Sequence, residues 1–153
     1  MFTYIIVFFL AAFLALIFTP LALKIAKRFN IMDYPGERRV HTVPIPRLGG
    51  IAIYLSFWLA VFLTINVNRM VLGLFIGSTI IVVIGIVDDI KGIRALPKLA
   101  CQIIAAVIPL FFGLTVQQIT LPFLGMVELG IVGYTFAVFW IVGIVNTVNI
   151  SDG

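Results

Sequence analysis

Five apolar runs, each close to the length of a membrane-spanning helix, constrain the fold of this chain more than any other feature of its sequence. They cover residues 2–23, 49–67, 70–87, 99–116 and 130–148, with boundaries that are approximate. A helix needs about 20 mainly apolar residues to cross the hydrocarbon core of a bilayer. The sequence therefore predicts an all-α protein, a polytopic bundle of five transmembrane helices.

The composition excludes an ordinary soluble domain and argues against nucleic acid as a partner. Only 10% of the residues are charged, whereas soluble domains are about one quarter charged. The formal net charge of +4 comes from cations scattered between the apolar runs, and these form no continuous basic track. Cys101 is the only cysteine, which excludes an intrachain disulfide. We expect residues 1–153 to form a single membrane domain that is embedded in the lipid bilayer.

The positive charges predict the orientation of the helices, because Lys and Arg accumulate in cytoplasmic loops. Nine of the 10 cations lie in two loops, residues 24–48 and 88–98, and the remaining cation, Arg69, lies in a tight turn on the other side. Placing both cationic loops in the cytoplasm puts the N-terminus outside and residues 146–153 inside.

The segment between the fourth and fifth apolar runs has the pattern of a β-hairpin. Two short alternating stretches, residues 117–121 and 126–129, flank a turn at residues 122–125. Alternation of apolar and polar residues on either side of a turn is typical of paired strands. We predict a small hairpin there, on the external side of the membrane.

Asp88 and Asp89 are adjacent acids at the end of the third apolar run, followed by Lys91, Arg94 and Lys98. An unpaired acid in hydrocarbon is costly, so the pair indicates a helix end that meets water. Two close carboxylates can exchange a proton with a reacting group, or they can hold Mg²⁺ together with substrate phosphates. The neighbouring cations would neutralise phosphate oxygens.

A second polar cluster ends the last apolar run. Asn146, Asn149 and Asp152 are spaced i, i+3 and i+6, which places them on one stripe of a helix. Asparagines inside an apolar span need partners. The alternative interpretation is a hydrated helix end with Gly153 as its C-cap.

The first cationic loop contains His41, the only histidine, and Arg47, among several prolines. Prolines restrict their own backbone and that of the preceding residue, so the loop is expected to be stiff. A stiff cationic loop can hold an anionic ligand. The alternative is that its cations serve only to orient the chain in the membrane.

Three motifs, in this order, resemble the polyprenyl-phosphate N-acetylhexosamine-1-phosphate transferase family: RRVHTVPIPRLGG, DDIKGIRALPKLACQ and NTVNISDG. Within that family the pattern is similar to the branch that makes undecaprenyl-diphospho-N-acetylglucosamine. The resemblance implies transfer of N-acetylhexosamine 1-phosphate from a UDP-sugar to undecaprenyl phosphate, with release of UMP and Mg²⁺ as cofactor. It also implies a bacterial plasma-membrane protein whose active face is cytoplasmic, and it leaves a homodimer open.

The resemblance also implies roles for individual residues. Asp88 is the candidate that engages or deprotonates the lipid phosphate, and Asp89 is its partner near the metal and the phosphates, although the two roles can be exchanged. Asp89 and Asp152 are the candidate metal ligands. The candidate substrate-binding residues are Asn146, Asn149, Asp152, His41, Arg47 and Lys98. Gln102 matches a family position after the acid pair, with no role attached.

The resemblance covers only the first part of the family pattern. Family members continue into a second Asp-Gly, further helices, another essential aspartate and a histidine motif. We therefore expect residues 1–153 to be the N-terminal part of a longer transferase and to be inactive alone. Two alternatives stay open: the phospho-MurNAc-pentapeptide transferase branch of peptidoglycan synthesis, and a non-catalytic lipid-binding or carrier protein whose acids mark a transport path.

Overall fold

The computed structural model describes residues 2–33, 44–46, 48–123 and 125–151. These residues form five helices and two antiparallel strand pairs, which confirms the predicted all-α class and the five helices. The helices are α1 (Phe2–Arg28), α2 (Gly49–Thr64), α3 (Arg69–Lys91), α4 (Ala95–Phe111) and α5 (Val132–Ser151). The strands are β1 (Met32–Asp33), β2 (Ile45–Pro46), β3 (Gln118–Leu121) and β4 (Gly125–Glu128).

Three of these helices, α1, α3 and α5, are long and apolar enough to cross a membrane. The other two are shorter than their apolar runs predict: α2 has 16 residues and α4 has 17. Helix α2 ends because Ile65 adopts extended backbone, and the chain leaves α4 just before Gly113, whose φ is +98°. Backbone conformation therefore ends these two helices before their apolar sequence ends.

Residue contacts divide the chain into two compact units. The first contains Met1–Val67 and Gly85–Gly92, and the second contains Asn68–Ile84 and Ile93–Gly153. The expectation that residues 1–153 form one membrane domain stays a prediction.

In the first unit, α1 packs along α2 through small side chains. Ala22 and Ala26, one turn apart on α1, are buried, as are Ala52, Ser56 and Ala60 on α2. Small residues let two helices approach closely, which is the main source of packing energy between helices in lipid. The Ser56 Oγ donates to the Ala52 carbonyl oxygen at 2.6 Å, so its buried hydroxyl is satisfied within its own helix.

A two-residue ladder closes the first loop of this unit. Met32 pairs with Pro46 and Asp33 pairs with Ile45, antiparallel. A ladder this short has no periodicity that a sequence pattern could reveal, and it was not predicted. The ladder brings the start and the end of the loop together, while residues 34–43 lie outside the described residues.

In the second unit, α3 and α4 approach closely at the GxxxG motif of α3. A Cβ atom added to Gly77 would lie 2.6 Å from the Ala105 carbonyl oxygen, and one added to Gly73 would lie 2.5 Å from the Cβ of Phe112. Real Cβ atoms do not approach other heavy atoms this closely. Glycine at position 77 therefore allows α3 to meet α4, and glycine at position 73 leaves room for Phe112, the residue that follows α4.

The predicted hairpin between the fourth and fifth helices is confirmed: β3 begins one residue later than predicted, and β4 is displaced by one residue towards the N-terminus. Strand β3 pairs with β4 from Gln118 opposite Glu128 to Leu121 opposite Gly125. Gly125 has a φ of +75°, which glycine adopts without steric cost. The external location of the hairpin stays a prediction.

Candidate functional site

Asp88 and Asp89 lie in the last turn of α3, and both are half-buried. The helix ends at Lys91 because the next residue, Gly92, has a φ of +66°. The Gly92 N–H still donates to the Asp88 carbonyl oxygen, at 2.8 Å. A left-handed glycine is a common helix stop. The sequence DDIKG therefore fixes the acid pair at a helix terminus, as the sequence predicted.

The terminus that carries these acids is the negative end of a helix. The exposed carbonyl groups of a helix C-terminus amount to about half a negative charge, which favours cations and disfavours carboxylates. Lys91, in the same last turn, supplies one favourable charge. Two acids at this place favour a positively charged ligand or partner near them.

In the second unit, four polar side chains of α4 and α5 pair across the helices. The Lys98 Nζ donates to the Asn149 Oδ1 at 3.0 Å, and the Asn146 Nδ2 donates to the Gln102 Oε1 at 2.8 Å. Lys98 and Gln102 are one turn apart on α4, and Asn146 and Asn149 are nearly one turn apart on α5. These four residues form two successive rungs, and we call them the polar ladder.

Burial explains why the inner rung of the ladder must form. Gln102 is 3% exposed, and a buried amide without partners costs about 1–3 kcal/mol. Its oxygen accepts from Asn146, whose second N–H donates to the Val142 carbonyl oxygen at 2.8 Å. Hydrogen bonds between helices in lipid contribute about 0.6 kcal/mol on average and up to about 2. The inner rung therefore helps to fix how α4 and α5 are aligned.

The structure brings together three of the site residues that the sequence predicted, namely Lys98, Asn146 and Asn149. Asp88 and Asp89 are neighbours on α3 and belong to the first unit. His41, Arg47 and Asp152 lie outside the described residues, so their roles stay predictions. Sequence reasoning gave Gln102 no role, although a glutamine within the apolar run 99–116 signals a polar partner on another helix.

The two acids at the end of α3 are compatible with a magnesium ion that substrate phosphates would also bind. Within residues 2–33, 44–46, 48–123 and 125–151, no three His, Cys, Asp or Glu side chains cluster as a metal cage would require. Mg²⁺ does not need such a cage, since one or two carboxylates with substrate phosphates and water are its usual ligands. Asp88 and Asp89, adjacent and half-buried, provide two such carboxylates.

Comparison with known proteins gives a family match and several relatives. Residues 71–153 match the model of glycosyl transferase family 4, and this segment includes the acid pair and the polar ladder. The chain is 34% identical to a probable undecaprenyl-phosphate N-acetylglucosaminyl 1-phosphate transferase of Bacillus subtilis, over 97% of this chain and 42% of the relative. It is 33% identical to a decaprenyl-phosphate N-acetylglucosaminephosphotransferase of Mycobacterium leprae, over 94% of this chain and 39% of the relative.

A relative from the other predicted branch also matches. The chain is 33% identical to a phospho-N-acetylmuramoyl-pentapeptide-transferase of Streptococcus pneumoniae, over 71% of this chain and 37% of the relative. No solved structure matches the chain.

The chain spans about two fifths of the length of the curated relatives it matches. The family model covers more than half of the chain, and the relatives agree with the resemblance inferred from the three motifs. Its apolar helices and its relatives make it a membrane protein. The match of residues 71–153 to the family model shows that the chain belongs to glycosyl transferase family 4.

Proposed function

We propose that this chain supplies part of the active site of an enzyme that transfers N-acetylglucosamine 1-phosphate from UDP-N-acetylglucosamine to undecaprenyl phosphate. The observation that carries the proposal is the polar content of the family segment. Within otherwise apolar helices, this segment has two acids at the end of α3 and the polar ladder between α4 and α5. The names of the Bacillus subtilis and Mycobacterium leprae relatives support the same reaction.

The reaction joins two anionic molecules through a phosphorus atom. An oxygen of the lipid phosphate attacks the sugar-bearing phosphorus of the UDP-sugar, and a new phosphorus–oxygen bond forms. The bond from that phosphorus to the bridging oxygen breaks, and UMP leaves with the electron pair. Phosphoryl transfer of this kind depends mainly on positioning and on stabilising charge on the phosphate oxygens.

Each polar group has a role that suits this chemistry. Asp88 engages the lipid phosphate or accepts its proton, and Asp89 lies next to it on the helix. Lys98 carries a positive charge that stabilises phosphate oxygens, and the asparagines of the ladder bind the nucleotide-sugar. Magnesium, held by Asp89 and Asp152 or by the acid pair, would neutralise charge on the diphosphate.

The charge distribution supports a cytoplasmic active face, and the bacterial relatives support the plasma membrane of a bacterium as the location. Asp88 and Lys98 are ten residues apart with no apolar run between them, and the cations Lys91 and Arg94 lie in the same interval. Lysine and arginine accumulate on the cytoplasmic side. The UDP-sugar would then approach from the cytoplasm, while the lipid phosphate lies in the headgroup layer.

The competing donor is UDP-MurNAc-pentapeptide, because the Streptococcus pneumoniae relative is named for that transfer. That match covers 71% of this chain, whereas the Bacillus subtilis match covers 97%. The wider match favours UDP-N-acetylglucosamine as the donor.

The proposal can be tested by measuring UMP release. The assay uses membranes from cells that express the complete reading frame containing these residues. We expect UMP release that requires undecaprenyl phosphate, UDP-N-acetylglucosamine and a divalent cation together, above membranes from cells with an empty vector. Release with UDP-MurNAc-pentapeptide instead would assign the other branch. Correctly folded protein that releases UMP with neither donor would overturn the proposal in favour of a carrier or lipid-binding protein.

A further inference from the structure

The amide of Asn146 is held in one orientation by two acceptors. The Val142 backbone carbonyl oxygen can only accept a hydrogen bond, so the Asn146 atom 2.8 Å from it is the nitrogen. The same nitrogen lies 2.8 Å from the Gln102 side chain, so the atom that faces it is the Gln102 oxygen. A fixed backbone acceptor thus determines the orientation of both amides.

This arrangement uses both N–H groups of Asn146 and leaves its carbonyl oxygen. Among the described residues, no hydrogen bond reaches the Asn146 Oδ1. Asn146 is half-buried, so part of its side chain is open to a ligand, whereas Gln102 is only 3% exposed. Gln102 therefore determines which atom of the Asn146 amide stays available for binding, although Gln102 itself is too buried to bind a ligand.

In the outer rung, the amide of Asn149 keeps its N–H groups available and not its oxygen. Lys98 donates to the Asn149 Oδ1, which engages the oxygen of Asn149 and leaves the N–H groups of that amide. The two asparagines of the family motif are therefore chemically different in the folded protein. Asn146 offers an electron-pair donor, and Asn149 offers hydrogen-bond donors.

We propose that Gln102 is a positioning residue that holds Asn146 with only its carbonyl oxygen offered to the substrate side. This assignment rests on the proposed function and adds a chemical role to one of its residues. A carbonyl oxygen takes a divalent cation or an N–H or O–H group of the nucleotide-sugar. It repels a phosphate oxygen, so phosphate binding falls to Asn149 and Lys98 instead.

The test is a double-mutant cycle on ligand affinity with the full-length gene product in detergent. The variants are Gln102→Met, which keeps the length of the side chain and removes its polar atoms, Asn146→Ala, and the two combined. Titration with UDP-N-acetylglucosamine in excess chelator measures donor binding alone, and titration with Mn²⁺ without nucleotide measures cation binding alone. The titration that responds identifies which of the two ligands contacts Asn146.

We expect Gln102→Met to lower the affinity for the responding ligand about three- to tenfold, which corresponds to the loss of one hydrogen bond. In the Asn146→Ala background, the same change should have no further effect, because there is no amide left to position. Gln102→Glu keeps an acceptor oxygen facing Asn146 and should bind more tightly than Gln102→Met. Gln118→Met, the same change at an exposed position of β3, is the matched control and should bind as the wild type does.

Four outcomes contradict the assignment. Wild-type affinity of Gln102→Met for both ligands would overturn it, and so would an equal loss with and without Asn146, which is the signature of a purely structural residue. If Gln102→Met does not fold, failure of the folded Gln102→Glu variant to exceed Asn146→Ala in affinity would overturn it as well. Wild-type protein that binds neither ligand would refute the proposed function first and this assignment with it.

Discussion

At the scale of single residues, the acid pair occupies the end of a helix that tolerates negative charge least. Each carboxylate at a helix C-terminus costs about 0.3–1 kcal/mol. A positioned proton-transfer group contributes about 10²–10⁴-fold in rate, or roughly 3–5 kcal/mol of activation free energy. Under the proposed function, this catalytic gain is several times the structural cost, which would account for two acids at a place that helix stability does not favour.

Replacing Asp88 with Asn in the full-length protein should therefore lower UMP release by about 10²–10⁴-fold while the fold persists. The amide keeps the size of the side chain but removes the charge and basicity that either proposed role requires. Because the change removes a negative charge from the C-terminal end of α3, thermal stability should hold or rise. The measurement is UMP release per folded molecule together with the melting temperature, with Asp89→Asn measured in parallel.

Glu128→Gln is the matched control for this prediction. Glu128 is an exposed carboxylate on β4, and its neutralisation should leave UMP release unchanged. An Asp88→Asn enzyme within a few-fold of the wild type, with an altered melting temperature, would identify a structural acid pair and remove the main support for the proposed chemistry.

At the scale of secondary-structure elements, the approach of α3 to α4 depends on glycine. Gly77→Ala should destabilise the protein by about 1–3 kcal/mol, since the added methyl group would meet the Ala105 carbonyl oxygen. Gly85→Ala is the same change on the same helix, at a position where the added Cβ would meet no atom within 4 Å beyond its own stretch of helix. It should instead stabilise by up to about 1 kcal/mol, because alanine favours helix more than glycine.

Thermal unfolding in detergent measures both glycine variants against the wild type. The expected result is a lower melting temperature for Gly77→Ala and an equal or higher one for Gly85→Ala. Equal melting temperatures for the two variants would show that α3 and α4 do not meet as closely as described.

The elements that depend on local sequence were predictable, and those that depend on partners were not. Apolar runs gave five helices, and alternation around a turn gave the β3–β4 hairpin. The ends of α2 and α4 were missed because backbone conformation at Ile65 and Gly113 ends them inside apolar sequence. The pairing of Gln102 with Asn146 was missed because it depends on how two helices are rotated and aligned, which no single-helix pattern contains.

At the scale of the whole molecule, the distribution of cations predicts which loops share a side of the membrane. Single cysteines at Arg94 and Gln118, both exposed, in a Cys101→Ala background should react with an impermeant thiol reagent from opposite sides. In intact cells, we expect Gln118→Cys to react and Arg94→Cys to react only after lysis. Labelling of both positions in intact cells would overturn the predicted orientation.

The short length of α4 has a consequence for the lipid around it. Its 17 residues rise about 26 Å at 1.5 Å per residue, less than the roughly 30 Å of an average hydrocarbon core. Local thinning is one way in which a bilayer accommodates such hydrophobic mismatch. Thinning beside α4 would bring the headgroups closer to Lys98, which lies in the first turn of the helix. A lipid phosphate would then meet Lys98 without leaving the headgroup layer. We therefore expect UMP release to be faster in vesicles made of shorter-chain lipids than in vesicles made of longer-chain lipids.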